Sequence, residues 1–111
     1  MDEEKKIKGI LIDSTNRTIT EVEFVPKLES YYRLIGCDLI DCVQYDEHHD
    51  VVVDDEGLLK EPTNFFKIDS YDGLLAGNGI IVGVDEDGSW ISHSLEKVRV
   101  GFVGKKKQND D

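Results

Sequence analysis

The sequence predicts an α+β fold, a single small domain in which one main helix packs on one face of a mixed or antiparallel sheet of about five strands. Three observations support this prediction. The chain has 111 residues and 39% hydrophobic content, which suits one domain with a modest core. Residues 18–25 alternate between apolar and polar side chains, as in a half-buried strand. Residues 28–35 instead space their apolar side chains as one face of a helix.

The first two predicted strands form a hairpin. Residues 7–13, IKGILID, are a short apolar run rich in β-forming side chains. Residues 18–25, TITEVEFV, place Glu21 and Glu23 on the side opposite to Val22. The four residues between the two runs, STNR, have the composition of a turn. This pattern is typical of an antiparallel pair with one buried face.

A helix is predicted directly after this hairpin. Pro26 suits the start of a helix because its fixed φ is already helical. Gly36 stands where a left-handed residue ends a helix. Between them, one stripe at i, i+3, i+4 and i+7 consists of Leu28, Tyr31, Tyr32 and Ile35.

Three further strands follow in the prediction. Residues 37–45, CDLIDCVQY, carry apolar side chains on both faces, which makes them the candidate for the centre of the sheet. Residues 51–53 begin a fourth strand, and a tight turn at residues 54–57 follows it. Residues 80–84, IIVGV, are predicted as a buried strand.

The other segments give weaker patterns. Residues 62–69 are predicted to be irregular, with hydrophobic side chains closing the edge of the core. Residues 71–76 are predicted as one helical turn that Gly77 ends. Residues 94–103 fit a helix stripe and a strand equally well, so both alternatives stay open.

The ends of the chain are charged. We predict one domain over residues 7–104, a charged N-terminal tail at residues 1–6 and a disordered charged tail at residues 105–111. The start lacks an apolar leader, and no apolar run approaches the roughly 18 residues of a membrane span. We therefore expect a cytoplasmic protein, in the host cytosol if it is viral, that has no membrane partner.

The net charge of −11 constrains the partners of the protein. An acidic surface repels nucleic acid, so direct nucleic-acid binding is not expected. The charge suits a basic partner or simple solvation, and dense carboxylates could also imitate a phosphate backbone. The candidate mimicry residues are Asp46, Glu47, Asp50, Asp54, Asp55, Glu56, Asp85, Glu86 and Asp87.

A glycine-rich stretch, SYDGLLAGNGIIVGVDEDG, spans residues 70–88. A phosphate loop requires a strand, a glycine loop and then a helix, whereas here the glycines lead into a strand. A calcium loop that started at Asp85 would need glycine at its sixth position, where Trp90 stands. We interpret these glycines as turn residues and as sites of close backbone approach.

Catalytic and metal-binding patterns are not evident. Cys37 and Cys42 fall in one predicted apolar strand, which favours inert reduced thiols over a disulfide. His48 and His49 are adjacent, so on an extended segment they point in opposite directions and cannot easily chelate one ion. No nucleophile motif accompanies them. We expect no enzymatic activity, no metal and no cofactor.

Three segments carry a resemblance to a known family: LIGCDLIDCVQYDEHHDVVVDDEGLLKEPTNFF, YDGLLAGNGIIVG and DEDG. Together they resemble a small domain of unknown function found mainly in phage, plasmid and mobile-element genomes. The positions that match are Gly36, Asp41, Glu56, Gly57, Asn64, Asp72, Gly77 and Gly83. Cys37 departs from the pattern, where the family has a second glycine. The resemblance implies an accessory role, often in contest with a host, and carries no catalytic residues over.

Two binding functions follow as hypotheses. The first is a non-enzymatic phage-like accessory protein that sequesters a host protein or a small nucleotide-like signal in a counter-defence role, with self-association left open. Its candidate ligand-binding residues are Tyr31, Tyr32, Asn64, Phe65, Tyr71, Asp72, Gly77 and Asn78. The alternative is an acidic mimic of nucleic acid that blocks a DNA- or RNA-binding host protein through the carboxylates named above.

Overall fold

The computed structural model describes residues 5–104 and folds them mainly into antiparallel β-structure. The elements in chain order are β1 (Ile7–Asp13), β2 (Thr18–Phe24), α1 (Leu28–Ile35), β3 (Ile40–Asp46), β4 (His49–Asp54), a 3₁₀ helix (Gly57–Lys60), β5 (Asn64–Lys67), β6 (Leu75–Ala76), β7 (Asn78–Val84), β8 (Trp90–Ile91) and β9 (Gly101–Gly104). Residues 5–104 therefore form more strands than the five or so that were predicted, and one α-helix, as predicted.

The larger sheet has the strand order β2-β1-β7-β4-β3, and the short β8 pairs with the end of β7. The central strand is β7, whose residues from Gly79 to Gly83 are all buried. The predicted hairpin of β1 and β2 and the buried strand β7 are confirmed. The prediction that the third strand is central was wrong, because β3 lies at an edge and, among the strands of residues 5–104, pairs only with β4. Asp41 and Gln44 in β3 are exposed, which an edge strand permits.

Two hydrophobic clusters lie on the two faces of this sheet. Alternation along β4 and β7 divides their side chains between the faces. The face beneath α1 buries Phe24, Tyr31, Ile35, Cys37, Val52, Ile80 and Val82. The opposite face buries Ile10, Ile12, Val51, Val53, Phe66, Ile68, Leu75 and Ile81. The domain thus has three layers, in which the larger sheet lies between α1 and the smaller sheet.

The predicted helix forms and ends at Gly36 as expected, but it begins at Leu28, so Pro26 lies just before the helix and not in its first turn. Lys27, directly after Pro26, is extended and precedes the first helical residue. Gly36 has a φ of 83°, in the left-handed region that glycine adopts without a steric penalty. Its N–H donates to the carbonyl of Tyr32 at 2.8 Å, and the N–H of Cys37 donates to the same carbonyl at 3.0 Å. Both bonds satisfy the carbonyl of Tyr32, which lies in the last turn of α1.

The smaller sheet, with the order β6-β5-β9, corrects the predictions for three segments. Residues 62–69 contain β5 rather than irregular structure only, and residues 71–76 contain turns and β6 rather than a helical turn. Residues 92–100 have no regular structure, and β9 follows them, so no helix forms at residues 94–103. These strands pair with segments distant in sequence, as Phe65 does with Val103.

The predicted tails comprise residues 1–6 and 105–111, and of these residues 1–4 and 105–111 lie outside the described residues. Within residues 5–104, no helix is both long and apolar enough to cross a membrane.

Candidate functional surface

The predicted ligand-binding residues lie on different sides of the larger sheet. Tyr31 is fully buried under α1, with its ring centroid 5.2 Å from that of Phe24 and 4.6 Å from that of Trp90. Desolvation, and then the negative charge that Cys42 would carry, raise the pKa of Tyr31. No described group forms a hydrogen bond with its hydroxyl. Tyr31 is therefore a core residue that no ligand can reach in this conformation, and Tyr32 is half-buried beside it.

Four of the other predicted residues come together where β5, β6 and β7 meet. The N–H of Gly77 donates to the carbonyl of Asn64 at 3.2 Å, and Ser14 Oγ donates to the carbonyl of Gly77 at 2.6 Å. Phe65 on β5 pairs with Ala76 on β6. Gly77 and Asn78 border a cavity of about 170 Å³, smaller than the roughly 300 Å³ of typical small-molecule sites. Asn64 and Gly77 are thus joined by a backbone hydrogen bond, and the cavity beside Gly77 and Asn78 is smaller than a typical nucleotide site.

The most exposed large hydrophobic side chains lie elsewhere, on the 3₁₀ helix. Leu58 is 65% exposed and Leu59 is 80% exposed. A shallow cavity of about 130 Å³ beside them is also bordered by Tyr71. We call this region the leucine–carboxylate surface, and its members are Asp41, Asp54, Asp55, Leu58, Leu59, Tyr71 and Leu74.

Asp54 holds the two leucines in this exposed position. One carboxylate oxygen of Asp54 accepts the N–H of Glu56 at 2.9 Å, before the 3₁₀ helix begins. The other oxygen accepts Lys60 Nζ at 2.7 Å, at the end of that helix. The hydrogen bond that Lys60 donates to Asp54 raises the pKa of Lys60, so its ammonium group stays charged. Gly57 packs tightly, since a Cβ there would lie 3.2 Å from Ala76 Cβ. The segment therefore turns back over β6 and leaves its leucines in solvent.

The apolar part of this surface continues over the smaller sheet. Leu74 also borders a second cavity of about 310 Å³, together with Pro62, Phe65 and Val103. Phe65 and Val103 are cross-strand partners and lie on the face of the smaller sheet opposite to the buried Phe66. Two residues of the predicted set, Phe65 and Tyr71, thus lie on one continuous apolar region, and Asp72 follows Tyr71 in an exposed turn.

The sequence prediction missed Leu58, Leu59 and Leu74 as surface residues. The only local signal was GLLKEP, where a leucine pair stands between an acidic turn and a proline instead of in a periodic pattern.

The predicted acidic residues form two groups rather than one patch. The turns at residues 46–48 and 85–88 lie at one end of the larger sheet, where the N–H of Val84 donates to the carbonyl of His48 at 2.8 Å. Asp54, Asp55 and Glu56 lie at the other end of β4, a strand roughly 20 Å long. The first group contains Asp46, Glu47, Asp50, Asp85, Glu86 and Asp87.

Three ionisable side chains at the first end, those of Asp46, His49 and Asp85, form local hydrogen bonds. His49 Nδ1 lies 2.7 Å from Asp46 Oδ1 and is buried. Desolvation raises the pKa of Asp46, but hydrogen bonds from His49 and from the His48 N–H outweigh it, so the pKa is lowered. Asp85 Oδ1 accepts the backbone N–H groups of residues 87 and 89, both at 2.9 Å, which makes residues 85–88 the predicted turn.

Convergent reactive groups are not found in the described part of the chain. Desolvation, followed by the charges of Asp50 and Asp41, raises the pKa of Cys42, which keeps that thiol protonated. Desolvation, followed by the charge of Asp54, does the same for the pKa of Cys37, which lies before β3 rather than in it. Among residues 5–104, no group of three or more His, Cys, Asp or Glu side chains is arranged to hold a metal ion.

Comparison with known proteins gives one match. Neither the curated proteins nor the solved structures contain a significant relative. The match is to a family described as Domain of unknown function (DUF3846), whose sequence pattern covers residues 7–102. Because the match spans all the elements from β1 to the middle of β9, the chain belongs to the DUF3846 family.

Proposed function

We propose that this protein is a non-enzymatic binding protein that sequesters another protein through the leucine–carboxylate surface. The observation that carries the proposal is the exposure of Leu58 and Leu59, at 65% and 80%, beside the carboxylates of Asp41 and Asp55. Clustered exposed hydrophobic side chains with a polar rim are typical of protein interaction sites. The hydrogen bonds of Asp54 to both ends of the 3₁₀ helix keep these leucines outward before any partner binds.

The chemistry of the surface favours a partner that presents hydrophobic side chains surrounded by lysine or arginine. Hydrophobic contacts would supply most of the binding energy, and the carboxylates would select basic partners and accelerate association. A nucleotide signal has less support, because carboxylates repel phosphate and two of the adjoining cavities, of about 130 Å³ and 170 Å³, are small. The third, of about 310 Å³, is lined mainly by apolar side chains and, among the described residues, by no lysine or arginine that could bind a phosphate.

The accessory role against a host rests on the resemblance of the sequence to phage and mobile-element proteins. A host protein bound at this surface could not bind its own partners at the same time, and this competition is the mechanism that we propose. Mimicry of nucleic acid has less support, since the carboxylates divide between the two ends of β4 instead of forming one row.

The test is partner capture with matched variants. The wild-type protein is immobilised and exposed to an extract of the cells that produce it. The captured protein is then identified and purified, and its affinity for the wild type and for each variant is measured by calorimetry. The double variant Leu58→Ser/Leu59→Ser should weaken binding at least tenfold, since each buried leucine contributes about 1.5–3 kcal/mol. Its urea midpoint should stay unchanged, because both side chains are exposed.

The control is Leu28→Ser, which alters a leucine of 46% exposure on α1, outside the surface. This variant should bind like the wild type. Equal affinity of the double variant and the wild type would reject the leucine–carboxylate surface as the binding site. Affinity that does not weaken with added salt would reject the role given to the carboxylates.

A further inference from the structure

The two edges of the larger sheet are built differently. The outer side of β3 is blocked by its own chain: Asp41 Oδ1 accepts the N–H of Cys42 at 2.9 Å, and Ser70 Oγ donates to the carbonyl of Gln44 at 2.6 Å. The register of β3 also shifts between Gln44 and Asp46, as in a β-bulge. Such features prevent another strand from pairing with an edge.

The opposite edge, β2, has none of these features. It keeps one register with β1 over seven consecutive pairs, from Thr18 to Phe24. No strand within residues 5–104 pairs with its outer side. Thr18, Ile19 and Thr20 are exposed, and β-branched residues of this kind favour a strand. A long, regular and uncovered edge is a template for another strand.

The acidic side chains of β2 are partly compensated by the same chain. Glu21 Oε2 lies 2.8 Å from His93 Nε2, so this carboxylate is bound to the segment after β8. Glu23 lies opposite Lys8 in the pairing with β1. Glu21 is therefore held by a hydrogen-bond partner within its own copy, and Glu23 faces a lysine of its own copy.

We infer that β2 pairs antiparallel with β2 of a second copy of this chain, about a two-fold axis at Thr20. This register places Thr20 opposite Thr20, Ile19 opposite Glu21 and Thr18 opposite Val22 of the second copy, with no like charges opposed. An axis at Glu21 would oppose two glutamates, which is destabilising. An axis at Ile19 would leave only residues 18–20 paired, because Arg17 has a φ of 57° and lies in the turn.

The short length of the paired segment also makes this dimer weak. Five residues a side pair in this register, against about 20–30 residues a side in a stable interface. Each copy also carries a net charge of −11, and this repulsion is screened by salt. Dimerisation should therefore strengthen with salt, whereas partner binding at the leucine–carboxylate surface should weaken. The two proposals can fail independently.

The first test is sedimentation equilibrium at concentrations up to about 1 mM, where weak association is measurable. The wild type should dimerise, more strongly at high salt. Thr20→Lys should be monomeric, because it opposes two lysines at the axis while the exposed site leaves the fold intact. Ser94→Lys is the control, with the same charge change at another exposed position, and it should dimerise like the wild type.

The second test fixes the register by oxidative cross-linking in a Cys42→Ser background, which removes the exposed native thiol. Thr20→Cys should give a disulfide-linked dimer. Thr18→Cys should not, since the two copies of residue 18 would lie about 13 Å apart along the strands. A wild type that stays monomeric at high salt, or equal cross-linking at residues 18 and 20, would overturn the inference.

Discussion

Gly79 gives the sharpest test of how the two sheets pack. A Cβ added at Gly79 would lie 2.7 Å from Phe66 Cζ and 3.2 Å from Val51 Cγ1. Neither neighbour can move freely, because both are fully buried between the larger and the smaller sheet. Gly79→Ala should therefore overpack the core and lower the free energy of unfolding by about 1–3 kcal/mol.

The measurement is urea denaturation followed by the fluorescence of Trp90, the only tryptophan, which packs against Tyr31. In thermal denaturation the same change corresponds to a loss of about 4–8 °C in Tm for each kcal/mol. Gly101→Ala is the control, since a Cβ at Gly101 would have no atom within 4 Å. That variant should be neutral or slightly stabilising, because alanine restricts the unfolded chain.

A double variant shows whether the contact with Phe66 is the cause. Leucine lacks the end of the phenyl ring, so Phe66→Leu should make room for the new methyl group. Gly79→Ala/Phe66→Leu should then lose about 0.5–3 kcal/mol less than the sum of the single variants. Additive losses, or a Gly79→Ala variant as stable as the wild type, would refute the packing described between β5 and β7.

Three further predictions concern single side chains. Tyr31→Phe removes a buried hydroxyl without a hydrogen-bond partner, so urea denaturation should show no loss, or a gain of up to about 1 kcal/mol; a loss above about 1 kcal/mol would contradict this. Burial also raises the pKa of Tyr31, so the free energy of unfolding of the wild type should fall as the pH rises above about 10. Tyr31→Phe has no hydroxyl to ionise at this position, so urea denaturation at alkaline pH should show a smaller fall for this variant. For Asp46, hydrogen bonds from His49 and His48 outweigh desolvation and lower the pKa, so the ionised carboxylate stabilises the fold above pH about 4 and this stabilisation is lost as the pH falls below it. Asp46→Asn should reduce the fall in the free energy of unfolding at acid pH by under about 1 kcal/mol, and the same pH dependence in both proteins would refute this. Gly36→Ala should cost about 1 kcal/mol in urea denaturation because Gly36 has a φ of 83°, whereas Gly36→Asn should cost less, and equal stability of all three proteins would refute the strain.

The sequence alone determined the parts of this protein that depend on neighbouring residues. The alternation in residues 18–25 and the turn residues before it specify the hairpin of β1 and β2. The stripe from Leu28 to Ile35 and the glycine at position 36 specify α1 and its end. These patterns are readable because their physical causes, side-chain periodicity and backbone freedom, act within a few residues.

The tertiary structure decided which strands are central and which side chains face solvent. Tyr31 and Tyr71 are the same residue type, yet α1 buries the first against Trp90 while a turn leaves the second exposed. Leu58 and Leu59 are outside the core because Asp54 binds both ends of their short helix. The small sheet forms because β9 pairs with β5, far away in the sequence. Such contacts depend on side chains that meet only after folding, so no local pattern specifies them.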